Sequence, residues 1–452
     1  MLRLKINKND NIQNQIVKGI IELTNKGDLK FGDHLPSITA MSDSLLISRT
    51  SVIGAYEKLV KLGIIQSKER SGYFISTIID DNQGSRSTTK VMFKEKAGNK
   101  PQQDRIYHAR DVRIPDVFVR NFFTEIRLRK NSTTEPLDIR QLMSDMLLSM
   151  RRIKANYSTS IITKNVISFL LTVAVAIKKR TPSPTIILEY PCYNKVHDIF
   201  SSLGFKIILV PVDQHGLQVE NLESLSADCI YLTPAHQFPT GAVLSQERRD
   251  YLAAWCQKNH VWLIEDDSLS LMNLSEKTSS PIYVSHPSEK NIYVSSMALI
   301  LGSENGASIG LLPADLYPEI SQLENILYSE DSVLSYRLVS NYLHSNRIIR
   351  DIANLAHKRR KKYQLATEGL RRAFGQPQIW GIPRSIYFSF LIPPGITVDH
   401  DKFPSHLIPM STIFDTFGFS WLGKRIIYPF AALEMDQIKL INDYFLKIAQ
   451  EQ

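Results

Sequence analysis

The run Leu35-Pro36-Ser37-Ile38-Thr39, continued by Ile47-Ser48-Arg49-Thr50-Ser51-Val52 and Ala55-Tyr56-Glu57-Lys58-Leu59, decides the fold of the N-terminal part of this chain. Pro36 and Ser37 open a short helix over Ile38, Met41 and Leu45, because proline is harmless where no intrahelical N–H is needed. Ser48 then caps the next helix, whose buried stripe is Val52, Ala55, Tyr56 and Leu59. Arg49, Thr50 and Ser51 fall on its first turn. Upstream, Ile12, Ile16, Ile20 and Leu23 recur at one-turn spacing and predict a helix that Gly27 stops. Downstream, strand-like residues 64–67 and 73–76 flank Lys68-Glu69-Arg70-Ser71-Gly72, the pattern of a hairpin wing with glycine at its tip.

In a helix-turn-helix, the first-turn residues of the second helix meet base edges, and an arginine there can pair two guanine acceptors at once. Arg49 is placed for that contact, and Lys68 and Arg70 for phosphate. The segment closely resembles the winged helix of the GntR family, whose pattern runs from a Leu-Pro-Ser turn through Ser-Arg and Ala-Tyr to a glycine wing. The expected DNA-contact set is Ser37, Thr39, Ser48, Arg49, Thr50, Ser51, Lys68, Arg70 and Gly72. The family usually carries an arginine two residues after the first serine. Here the place is Thr39, so a changed base or phosphate contact is expected.

Composition agrees with a partner that is double-stranded DNA. The formal charge is +9, and residues 1–78 hold 11 Lys+Arg against 7 Asp+Glu, while the chain beyond residue 114 is nearly balanced. At 452 residues and 43% hydrophobic, the chain can bury a large core in more than one domain. No apolar run approaches a membrane span and no charged-then-apolar leader is evident, so a bacterial-type cytoplasmic location is expected. Cys192, Cys229 and Cys256 are odd in number and lack ligand-like spacing, which argues against a disulfide framework or a metal site. Polar, small residues mark 79–108 as a linker between a head at 1–78 and a large part at 109–452.

Beyond the linker, apolar runs at 183–188, 206–210, 228–232, 261–265, 291–295 and 308–312 alternate with helical stretches. This predicts an α/β domain with a mostly parallel sheet, followed from about residue 332 by a smaller α+β subdomain. The runs Val210-Pro211-Val212-Asp213, Tyr231-Leu232-Thr233-Pro234-Ala235-His236-Gln237-Phe238-Pro239-Thr240-Gly241, Ile264-Glu265-Asp266-Asp267 and Glu189-Tyr190-Pro191-Cys192-Tyr193 resemble the MocR subgroup of the GntR family. That resemblance implies a winged helix fused to a fold-type-I aminotransferase-like domain, paired as a homodimer.

The same resemblance sets demands for pyridoxal phosphate. An imine needs a lysine amine, which in the family ends a run like Ile-Tyr-Leu-Gly-Thr-Phe-Ser-Lys. Here that run is Ile292-Tyr293-Val294-Ser295-Ser296-Met297-Ala298-Leu299, and Leu299 has no amine. The family's phosphate turn, Gly-Ser/Ala-Gln, corresponds to Asn165-Val166-Ile167, and its phosphate arginine to Gly306-Ala307-Ser308. Its Asp-x-Tyr corresponds to Asp266-Asp267-Ser268. A pocket remnant of Tyr193, His236, Asp266 and Arg425 survives, with Arg425 matching the arginine that grips a substrate carboxylate. Leucine at the floor predicts a cavity partly filled by apolar side chains.

These residues favour a DNA-binding regulator that is not an enzyme and holds no cofactor, its second domain serving dimerisation and the sensing of a small-molecule effector. Non-covalent sensing of pyridoxal phosphate or an amino acid is the alternative. An active aminotransferase would need Lys277 or Lys290 to substitute for the missing amine. The basic run His357-Lys358-Arg359-Arg360-Lys361-Lys362 reads as the solvated face of a helix, with a second DNA contact as its rival.

Overall fold

The computed structural model describes residues 11–25, 28–29, 33–61, 65–68, 72–75 and 138–451, apart from 273–278, 302–305, 328–329, 384, 397–402 and 411–423. Gly27, Arg70, the linker 79–108 and Lys277 lie outside them. The head contains α1 (Ile12–Asn25), α2 (Ile38–Leu45), α3 (Arg49–Lys61), β1 (Ile65–Lys68) and β2 (Gly72–Ile75). Its core is the periodic apolar set read from the sequence: Ile16, Ile20, Met41, Val52, Ala55, Tyr56 and Leu59, joined by Ile65 and Ile75 of the wing. The wing strands pair antiparallel from Ile65↔Ile75 to Lys68↔Gly72, which places Gly72 at the mouth of the turn with φ +93°, a conformation that favours glycine.

The large part is built on an eight-stranded sheet in the order β3-β10-β9-β8-β7-β4-β5-β6. These strands are β3 (Ser160–Thr163), β4 (Thr185–Tyr190), β5 (Lys206–Asp213), β6 (Gly216–Leu217), β7 (Cys229–Leu232), β8 (Trp262–Asp266), β9 (Asn291–Ser296) and β10 (Ser308–Leu311). The run from β9 to β5 is parallel, and β10, β3 and β6 attach antiparallel at the flanks. The first predicted strand starts two residues late, at Thr185, because Pro184 has no N–H for the ladder.

Alternation along the strands sends Ile186, Leu188, Tyr231 and Ile264 to one buried face and Ile187, Ile230, Leu232 and Leu263 to the other. Both faces are therefore covered, as a parallel sheet requires. The connecting helices are α4 (Ile139–Arg151), α5 (Val166–Arg180), α6 (Asn194–Ser202), α7 (Gln246–Lys258), α8 (Ile282–Ser285), α9 (Ala298–Leu301) and α10 (Tyr317–Leu327). Phe169 of α5 lies so close to β10 that a Cβ at Gly310 would stand 1.9 Å from its ring.

The C-terminal helices are α11 (Glu330–His344), α12 (Ile348–Phe374) and α13 (Met435–Gln450). Apolar residues at helical spacing continue from Leu338 and Tyr342 to Ile348 and Ile352, yet they form two helices, broken where Asn346 adopts a left-handed φ of 53°. A four-stranded antiparallel sheet, β11 (Ile379–Trp380), β12 (Phe388–Leu391), β14 (Arg425–Tyr428) and β13 (Ile408–Pro409), packs with them, stacking Phe388 on Tyr428 and Phe430. Among the described residues no helix is long and apolar enough to cross a membrane.

Candidate functional site

Two places carry chemistry, the head and a cavity in the large sheet. In the head, Ser37 caps α2, its Oγ accepting the Ala40 N–H at 3.1 Å. Ser48 does the same for α3, accepting from Ser51 N–H at 3.2 Å and hydrogen bonding the hydroxyls of Thr50 and Ser51 at 2.9 and 2.8 Å. Both caps satisfy amides that a helix start leaves orphaned.

Arg49, Thr50 and Thr39 are exposed, so the first turns of α2 and α3 offer their side chains outward. The buried Tyr56 sets the angle between these helices. Its hydroxyl donates to the Pro36 carbonyl at 2.8 Å and its ring meets Tyr73 of the wing edge-on at 4.7 Å. Lys68 is the last residue of β1, so its backbone stands beside the wing turn.

The cavity, 280 Å³ in volume, opens where the strands β4, β7, β8 and β9 end. The chain leaves β4 toward β5 and returns on its other side as β7. Such a reversal splays the flanking connections apart and opens a crevice at the carboxyl ends of the strands. Glu189 and Asp266 line it from the ends of β4 and β8, with Thr233 just beyond β7 and Ser296 at the end of β9. Leu299 lines it too, with Val166, Ile167 and Phe238, and the space between them stays open.

Of the four expected pocket residues, the fold brings two together and diverts two. Tyr193 and Asp266 line the cavity. Asp266 accepts from the Tyr231 hydroxyl at 2.8 Å and the Ser268 N–H at 3.0 Å, and burial raises its pKa against these hydrogen bonds. His236 and Arg425 are not among the lining residues. The imidazole of His236 is buried beside Tyr387, hydrogen bonds the Ser385 hydroxyl through Nε2, and is pushed down to about 3, which keeps it neutral. Arg425 is buried with its guanidinium 3.5 Å over the Trp380 ring and donates to Ser389 Oγ at 3.1 Å; burial lowers it to about 9.

Sequence reading passed over Glu189 and Lys195 as site residues. Glu189 is buried, with Oε2 accepting from the Thr233 N–H at 3.0 Å and its hydroxyl at 2.9 Å, and burial lifts its pKa to about 7. Its place at the end of an apolar strand was the available signal. Lys195, on the first turn of α6, lines the cavity from its exposed side, with Nζ 5.8 Å from the Tyr193 ring centre. Lys290 is elsewhere: its Nζ sits 3.6 Å over the ring of Trp262, the first residue of β8, at the opposite end of the sheet. At the start of α5, Asn165 Oδ1 accepts from Ser168 N–H at 2.9 Å, so this helix terminus is capped by its own side chain. The adjacent Asp267 turns away from the cavity, bound by Arg151 Nε at 2.6 Å and by the Tyr293 hydroxyl at 2.7 Å.

In the basic run of α12, Arg359 and Lys362 are turned inward, donating to the carbonyls of Met272 and Ala431 at 3.2 and 3.3 Å. His357, Lys358, Arg360 and Lys361 are exposed.

Comparison with known proteins agrees with both parts. Residues 12–75 match the family described as bacterial regulatory proteins, gntR family, and residues 129–402 match aminotransferase class I and II. The uncharacterized HTH-type transcriptional regulator YdeL of Bacillus subtilis (strain 168) is 24% identical over 372 residues, 80% of each chain. The HTH-type pyridoxine biosynthesis transcriptional regulator PdxR of Corynebacterium glutamicum is 24% identical over 377 residues, 79% of each chain. An archaeal alanine:glyoxylate aminotransferase superposes with a TM-score of 0.64 at 16% identity, covering 76% of this chain and 89% of its own. The chain therefore belongs to the class I and II aminotransferase family and carries a GntR-type helix-turn-helix head ahead of that domain.

Proposed function

We propose that this chain is a sequence-specific, DNA-binding transcriptional regulator whose aminotransferase-like domain dimerises and senses a small molecule, without covalent pyridoxal phosphate and without catalysis. The observation that carries the reading is the exposed Arg49 on a capped recognition helix, with Tyr56 buttressing it against α2 and the wing. A bidentate arginine contact to a guanine contributes roughly 1–3 kcal/mol of discrimination against other bases. The names of the relatives, transcriptional regulators of the same two-part build, support the same reading.

The cavity does not fit pyridoxal phosphate held in the manner of the family. Leu299 stands where the resemblance expects the imine lysine. Among the described lining residues the sole lysine is Lys195, on the exposed side, and there is no arginine. At the phosphate position, Val166 and Ile167 line the cavity, and the Asn165 side chain already takes the Ser168 N–H at the helix start. Non-covalent sensing by Tyr193 and Asp266 is the second reading, favoured by the open cavity.

Gel retardation of a promoter fragment and borohydride trapping test these readings separately. Arg49→Ala is expected to abolish the retarded complex, and unchanged binding would remove the recognition-helix assignment. Pyridoxal phosphate followed by borohydride is expected to leave no adduct in the cavity. An adduct mapped to Lys195 or any other lysine there would sink the non-covalent reading.

A further inference from the structure

Glu189 is 2% exposed and lines the cavity, with one carboxylate oxygen satisfied and one not. Thr233 supplies both hydrogen bonds to Oε2, while Oε1 has no hydrogen-bond partner. A buried acceptor left bare forfeits its hydration without compensation, and more so when the group is ionised. What restores it is an N–H donor, best a charged one.

The electrostatic surroundings select the sign. Asp266 lines the same cavity and is near enough for the two carboxylates to repel each other's charge. Lys195 is the sole cationic side chain among the described lining residues, and it is exposed. Arg425, the candidate for balancing a ligand carboxylate, is held over Trp380 outside the lining. A phosphate or carboxylate would therefore meet two acidic side chains and no buried cation.

We infer that the cavity is a binding site for a small organic cation, a primary amine or amidinium on a compact apolar body, whose N–H groups pair with Glu189 and Asp266. The apolar body lies against Val196, Phe238 and Leu299, and Tyr193 offers its ring to the cation. This rests on the non-covalent reading of the cavity, because Leu299 supplies wall where an imine lysine would place a competing ammonium.

Isothermal titration calorimetry of the full chain with benzylamine and tryptamine tests it, with benzyl alcohol as the neutral counterpart of the former. At least one amine is expected to bind saturably, with benzyl alcohol at least tenfold weaker than benzylamine or without measurable heat. Glu189→Gln is expected to weaken the amine at least tenfold while leaving gel retardation of promoter DNA unchanged. Leu299→Lys, which places an ammonium among the carboxylates, is expected to abolish amine binding. Should Glu189→Gln fail to fold by circular dichroism, Asp266→Asn and Leu299→Lys carry the same comparison. Absence of binding by both amines, benzyl alcohol equal to benzylamine, or wild-type affinity in these variants overturns the inference. A borohydride adduct with pyridoxal phosphate, measured separately, would instead overturn the reading on which it rests.

Discussion

Glu189→Gln has a sign that is worth working through, because the substitution of a buried acid is ordinarily expected to harm a fold. Glutamine keeps the shape and retains a carbonyl oxygen for the Thr233 N–H and hydroxyl. What it removes is a titration. Burial holds the native carboxyl protonated up to about 7, whereas in the unfolded chain it ionises near 4.3. The hydrogen bonds from Thr233 favour the ionised form and are outweighed by burial, and Asp266 also opposes ionisation.

Between about pH 4.5 and 7 the folded chain therefore keeps a proton that the unfolded chain has released, so stability falls as pH rises through this window. At 1.36 kcal/mol per pH unit the loss from this group reaches about 3 kcal/mol by pH 7. The variant escapes it. Urea unfolding followed by tryptophan fluorescence from pH 4.5 to 7.5 is expected to show near-equal stabilities at the acid end and a variant about 3 kcal/mol more stable at the neutral end. Glu265, which burial also pushes up to about 7, slopes both proteins alike and drops out of the difference. A difference that does not change with pH, or a wild type more stable than the variant at pH 7.5, would refute the reasoning.

Three other outcomes follow from single contacts. Tyr56→Phe deletes the hydrogen bond to the Pro36 carbonyl and is expected to cost the head about 1 kcal/mol in thermal or urea unfolding, with weaker operator binding in gel retardation. Gly310→Ala drives a methyl to within 1.9 Å of the Phe169 ring and is expected to destabilise the large sheet by about 2 kcal/mol or more, read as a lowered Tm. Lys358→Glu combined with Lys361→Glu alters two exposed side chains of α12 and is expected to leave retardation of promoter DNA within twofold of wild type; a tenfold loss with the fold intact would make that helix a second DNA contact.

The head was legible almost residue by residue. Its helices and its two serine caps arise from interactions between residues two to four apart, which leave their spacing in the sequence, whereas the wing strands fall one residue from the expected places, at 65–68 and 72–75. The parallel strands were legible for the same kind of reason, as short apolar runs, although Pro184 delayed the first of them. The break between α11 and α12 was hidden, because apolar residues continue on both sides of Asn346 and nothing local demanded a left-handed residue there.

The pocket was only half legible. The sequence by itself determined that a DNA-reading head precedes an aminotransferase-type sheet, that Arg49 opens the third helix of that head, and that position 299 is a leucine. Tertiary structure alone decided that Glu189 and Asp266 share a cavity with Lys195 at its exposed side, and that His236 and Arg425 do not line it. The physical reason is the reversal of strand order between β4 and β7. It brings together residues 44 apart, as in the contact of Thr233 with Glu189. Arg425, by contrast, is fixed by a cation–π contact with Trp380 on a separate antiparallel sheet. No periodicity records either event, because each depends on which distant surfaces the buried core brings face to face.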